Sequence, residues 1–172
     1  MTDLREDSFG LLIAYVVPGF LWILQLSTFS EPLQLWLSAE PSAAPTIAGF
    51  LFATMASVGA GLTASTLRWL TLDILHHSTG VRPTSWTFRQ LQANIDAFLT
   101  TVQYHYRYYQ FYGNSAIVIL CGTLMHRGPG TMLGLPAMPA IAIDVTLVIL
   151  FVVASRDSLQ KYYRRTGELL KN

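Results

Sequence analysis

Charge is scarce in this sequence. Only 12% of its 172 residues are Asp, Glu, Lys or Arg, against roughly 25% in ordinary soluble domains, while 52% are hydrophobic. That deficit argues against a water-solvated body and makes lipid the expected solvent. Cysteine is nearly absent. Cys121 stands alone, so neither an intrachain disulfide nor a CxxC redox pair can form. Catalytic signatures are missing too: there is no HExxH, no GxSxG, no phosphate-binding glycine loop and no carboxylate pair on one helical face. No enzyme activity, cofactor or metal is therefore expected. A net charge of +1 gives no overall pull toward nucleic acid.

What the chain has in quantity is apolar runs. Four blocks, at about 9–29, 45–66, 108–125 and 137–154, each approach the roughly 20 residues that cross a bilayer as helix. The first follows Arg5 as a signal peptide would, but it is too long and lacks a small-x-small cleavage site, so it reads as retained. Glu6, Asp7 and Ser8 suit its amino-terminal end, and Pro45 suits the first turn of the second block. The third block is the weakest. Gly113 to Met125 is too short alone and needs Tyr104, Tyr106, Tyr108, Tyr109, Phe111 and Tyr112 as an interfacial aromatic belt. His126 to Pro136, rich in Gly and Pro, turns the chain into the fourth.

Lys and Arg resist translocation, so their placement orients the spans. Ten of the eleven fall in the amino-terminal tail, the segment between the second and third blocks, and the carboxy-terminal tail; only Arg127 falls on the other side. The expected fold is thus all-α: a single domain of four transmembrane helices in a bacterial inner membrane, with both termini cytoplasmic. A cytoplasmic amphipathic segment at 76–107 and a basic tail helix at 155–172 complete it.

From Phe88 to Tyr109, a helical wheel gathers Phe88, Leu91, Ile95, Phe98, Leu99, Val102, Tyr106 and Tyr109 in one sector, which predicts an uninterrupted helix of about six turns started by Pro83 and Ser85. Its polar face is poor in Lys and Arg, which favours packing against protein over lying on lipid. The plainest form of that packing covers the end of its own bundle. In the tail, Leu159, Tyr162, Tyr163, Thr166, Leu169 and Leu170 oppose Lys161, Arg164, Arg165, Glu168 and Lys171. Arg164, Arg165, Tyr162 and Tyr163 are the candidates for contact with anionic lipid or a cytoplasmic protein partner. Nucleic-acid binding lacks a recognition motif.

Inside the spans, Gly49, Ala53, Ser57, Gly61 and Ser65 recur every fourth residue, a ladder that lets helix backbones approach closely. It fits packing within the bundle or assembly into a homo-oligomer. Pro18, followed by Gly19, has no amide for the Ala14 carbonyl, which predicts a kink and a candidate hinge. Asp144 lies about seven residues into the fourth span, where a carboxylate must face protein, a wet cavity, or be protonated. Gln25 and Thr54 come to comparable depth as its expected partners, on an ion path or in a neutral polar contact. Asp73, His76, His77 and His105 share one side of the membrane, where hydrogen bonding or solvation explains them more simply than a metal does.

The architecture resembles that of small bacterial tetraspan proteins, including channel subunits and membrane effectors encoded beside defence systems, as an analogy of fold alone. The expected function is an oligomeric pore-like or membrane-perturbing effector or accessory subunit that receives a signal through its cytoplasmic helices. The alternative is a small ion or solute transporter using Asp144, with a membrane enzyme third.

Overall fold

The computed structural model describes residues 9–37, 47–125, 128, 130 and 134–170, and every element among them is helical. The expectations for Arg5, Glu6, Asp7, Ser8, Pro45, Arg127 and Lys171, and for much of the turn after Met125, lie outside the described residues. Three helices are long and apolar enough to cross a membrane: α1, Phe9–Ser27; α3, Gly49–Ser78; and α7, Ala137–Leu169. Between them lie α2 (Glu31–Leu37), α4 (Phe88–Ala93), α5 (Ile95–Thr101) and α6 (Arg107–Leu124). At about 1.5 Å per residue, α3 and α7 are longer than a hydrocarbon core of about 30 Å. The second apolar block does not end near Thr66 but continues as helix to Ser78, and the connection after α1 contains the short helix α2.

The weak third block is the centre of the bundle. In α6, Tyr109, Gln110, Asn114, Ser115, Ala116, Ile117, Val118 and Ile119 are all buried, and α1, α3 and α7 pack around them. Its neighbours turn the opposite kind of surface outward. Phe50, Met55 and Leu62 on α3, and Ile149, Leu150 and Val153 on α7, are exposed apolar side chains. Such a belt is far larger than the apolar patches soluble monomers leave bare. α6 leaves Tyr108, Leu120 and Leu124 exposed, but most of it meets protein, and a helix largely surrounded by protein does not have to be apolar, which explains why α6 reads poorly as a span.

Pro18 produces a widened turn at Leu12–Val16, where the Val17 amide reaches back five residues to the Leu12 carbonyl. The carbonyl of Ala14, deprived of a donor by the proline ring, accepts from Asn114 Nδ2 at 2.8 Å. Next to it, Gln110 Nε2 donates to the Tyr15 hydroxyl at 2.8 Å. Pro18 and Gly19 are both buried. A Cβ on Gly19 would fall 2.6 Å from the Gly61 amide nitrogen, and one on Gly61 would fall 2.7 Å from the Tyr15 carbonyl carbon. The predicted hinge therefore sits inside the α1–α3 contact.

The long amphipathic helix predicted over Phe88–Tyr109 is broken. Thr87 opens α4, its amide donating to Gln90 Oε1 at 2.8 Å. The break comes at Asn94 (φ −128°, ψ 29°), whose side-chain amide bonds the Gln90 carbonyl at 3.2 Å. Asn competes with the helix for backbone partners in this way, a cost the hydrophobic wheel does not register. From Ile95 the chain is helical again, and a second wide turn, Val102–Tyr106, joins α5 to α6, the Arg107 amide bonding the Val102 carbonyl. α5 packs beside the end of α7, so it projects from the bundle along that helix.

The glycine contacts allow a paired test. Gly61→Leu inserts a side chain where the α1 backbone lies and should destabilise the folded bundle by about 1–3 kcal/mol or more. Gly59, on the same helix, has open space at its Cβ position, so Gly59→Leu should melt near wild type. Thermal unfolding in detergent, alongside membrane abundance, checks this, and equal melting of the two variants would remove Gly61 from the α1–α3 contact.

Candidate functional site

The densest polar constellation lies where α3, α6 and α7 meet on the side that carries α5 and the end of α7. It grows from a wide turn, Trp69–Asp73, in α3. In a regular α-helix residues five apart do not face one another; an extra residue in one turn brings them together. Arg68 and Asp73 use that geometry, with Arg68 Nη1 3.8 Å from Asp73 Oδ1. The Tyr109 hydroxyl donates to the same carboxylate oxygen, and the Arg68 guanidinium lies over the Tyr109 ring, 4.5 Å from its centroid. Arg68 Nη2 also reaches Ser65 Oγ at 3.4 Å.

Gly113 makes room for this arginine. A Cβ there would fall 3.1 Å from Arg68 Cγ and 3.3 Å from Ser155 Oγ. Ser155, fully buried on α7, lies 3.4 Å from His76 Nε2 and donates to the Tyr109 carbonyl at 3.5 Å. Six side chains from three helices, Ser65, Arg68, Asp73, His76, Tyr109 and Ser155, thus share one largely desolvated cluster. A buried cation is costly unless it is paired, and Arg68 is only 4% exposed. Its Nε and Nη1 still have no hydrogen-bond partner among the described residues, the 3.8 Å approach of Nη1 to Asp73 being an ion pair only. Chemically, the arrangement holds a charge pair and a phenol in register between helices, where movement of any one helix breaks contacts of the other two.

The residues that pattern reading singled out are distributed differently. Asp144, 1% exposed, does not meet Gln25 or Thr54: its Oδ1 accepts from the Gly130 amide at 3.2 Å, and Gly128 lies against its Oδ2. The Thr54 hydroxyl turns back to the Phe50 carbonyl of its own helix at 2.9 Å. Gln25 is buried against Gly122 of α6, with both amide atoms unpartnered among the described residues. The physical reason is packing partner. α7 lies along α6, so Asp144 faces the segment before its own helix rather than α1 or α3. Of the small-residue ladder, Ser57 and Gly61 are buried against α1, while Gly49, Ala53 and Ser65 are half-buried.

At the end of α7, Tyr162 and Tyr163 are half-buried. They pack with Tyr106 against Val81, Tyr109 and Leu159, and the Tyr163 hydroxyl lies 3.2 Å from His77 Nε2. Arg164 and Arg165 are exposed. Arg156 caps the end of α3, Nη2 donating to the Thr79 carbonyl at 2.8 Å just before Gly80 turns the chain at φ 95°. His76 thus lies in the same cluster as Asp73 and His77 meets Tyr163, and no metal-binding group of three His, Cys, Asp or Glu occurs among the described residues.

The Arg68–Asp73–Tyr109 cluster was not singled out from the sequence, where Arg68 counts only as a loop charge. Its one visible signal is an Arg and an Asp inside a run that is otherwise helical and apolar. Compared with family models, curated proteins and solved structures, the chain matches none.

Asp144 gives a discriminating pair of variants. Asp144→Asn keeps an acceptor oxygen for Gly130 and should melt close to wild type; Asp144→Leu leaves that buried amide unpaired and should cost about 1–3 kcal/mol. Thermal melting of the purified protein reads both. Equal damage from the two would show that the charge itself, rather than the acceptor, holds the loop.

Proposed function

We propose that this chain is a four-span protein of a bacterial inner membrane, with both termini cytoplasmic, that acts as a pore-like or membrane-perturbing effector subunit addressed through its cytoplasmic helices. Support for the fourth span comes from α6, which at 18 residues is about 27 Å long and needs no apolar exterior because its neighbours enclose it. The ten-to-one bias of Lys and Arg supports the orientation.

The observation that carries the effector reading is the state of α4 and α5. Phe88 is 77% exposed, and Ile95 and Leu99 are about half exposed, so part of the apolar row is left uncovered, while Leu91, Phe98 and Val102 are half-buried, on helices that run through the Val102–Tyr106 turn into the central helix. A contact on that row has a direct mechanical path to Tyr109 and the buried ion pair. Assembly of several copies would supply a pore wider than one bundle of this size, and because Ser57 and Gly61 lie against α1, another surface is the better candidate for joining them. Transport through Asp144 has less support, because one of its carboxylate oxygens is engaged by Gly130.

Two measurements test the proposal. Reporter fusions after Leu37 and Leu135 should read periplasm, and fusions after Ser78 and Asn172 cytoplasm; a periplasmic Asn172 overturns the topology. Expression in bacteria carrying a membrane-potential dye should depolarise the cells, and the double variant Ile95→Asp, Leu99→Asp should abolish the effect while inserting normally, since both side chains are exposed. A wild-type chain that inserts and leaves the potential unchanged rules out the pore-like reading.

A further inference from the structure

The Val102–Tyr106 turn places His105 against the basic end of α7. Its Nε2 is buried and has no hydrogen-bond partner among the described residues. The charged groups facing it from α7 are Arg165, Lys161, Asp157 and Arg164. Asp157, the one anion, is already engaged by Lys161 Nζ at 2.6 Å. On its own helix, Arg107 directs Nη1 to Gln110 Oε1 at 3.3 Å, and Asp96 of α5 is exposed. Burial and the three cations of α7 favour the neutral imidazole over the imidazolium here.

We infer that the turn carrying His105 and the basic end of α7 form an acid-released latch: protonation of His105 sets a further cation against Lys161, Arg164 and Arg165 and parts α5 from α7. The electrostatics agree in sign. Burial, then Arg165 and Lys161, hold the imidazole below the usual histidine range. A group whose folded pKa is depressed stabilises the docked state above its ordinary value, about 6.5, and loses that contribution as pH falls from there toward the docked value. The latch is a property of how α5 docks on α7 and stands independently of what the membrane domain does. Other histidines nearby make different contacts: His76 with Ser155 and His77 with Tyr163.

Hydrogen–deuterium exchange on the full chain in lipid nanodiscs, corrected for the intrinsic rate at each pH, tests it. Residues 95–106 should exchange several-fold faster at pH about 5.5 than at about 7.5, up to the roughly tenfold limit set by one histidine of ordinary pKa about 6.5, with the second half of α6 unchanged. His105→Gln should remain docked at both values, and His105→Asn serves where the Gln variant inserts poorly. Arg165→Gln should shrink the acid response, because it brings the docked pKa closer to the ordinary one. His77→Gln should leave the response in place. A wild-type chain whose α5 exchange is the same at both values, or a His105→Gln variant that opens in acid as the wild type does, overturns the latch.

Discussion

A helix too polar for lipid has to be enclosed by helices that are not, and α6 imposes that requirement on the whole chain. Tyr109, Gln110, Asn114 and Ser115 are buried along it. Buried away from water, these groups must find partners within protein, because leaving one unpaired in hydrocarbon costs several kcal/mol. Three of them find partners on the surrounding helices: the Asn114 amide nitrogen at the Ala14 carbonyl and Gln110 at the Tyr15 hydroxyl on α1, and Tyr109 at Asp73 on α3, while Ser155 of α7 bonds the Tyr109 backbone; Asn114 Oδ1 has no partner among the described residues. Proline and asparagine are complementary here. Pro18 frees a carbonyl that α1 cannot satisfy, and Asn114 supplies the missing donor from the helix that needs an acceptor.

Each wide turn coincides with one of these contacts. Leu12–Val16 offers Ala14 and Tyr15 to α6; Trp69–Asp73 swings Asp73 to the side of Arg68 and Tyr109; Val102–Tyr106 sets His105 against α7. A wide turn gives up regular backbone bonding, and single-turn widenings often occur at functional positions. In this bundle they re-aim side chains that the α-helical period would send elsewhere. The polar cluster at the cytoplasm-facing end of the proposed topology therefore depends on backbone irregularity as much as on residue identity.

That dependence decides what was legible in the sequence. Long apolar runs locate α1, α3 and α7, because helices with an apolar exterior carry it in their composition. The boundary at Thr66 was missed, since α3 continues with one apolar flank, through Trp69, Leu70, Ile74 and Leu75, after its mean character has turned polar. α6 was underrated for the converse reason: its environment is protein. Asn94 broke a helix that periodicity alone joined, because periodicity does not weigh a side chain's competition for backbone partners. Partners at a distance were the least readable. Depth along the membrane grouped Asp144 with Gln25 and Thr54, but which helices touch decides contact, and α7 lies along α6. Arg68 and Asp73, five apart, face one another only because of a wide turn that no residue pattern announced.

The central claim is that α6 is the enclosed helix and that α3 and α7 meet lipid. Spin labels placed singly in a Cys121→Ser background, with accessibility to oxygen and to a polar nickel reagent read in bilayers, test it most directly. Labels at Met55 and Ile149 should show high oxygen and low nickel accessibility, as lipid-facing sites do, while a label at Val118 should be shielded from both. High oxygen accessibility at Val118, equal to that at Met55, would contradict the account, because it would put lipid where the bundle has its core.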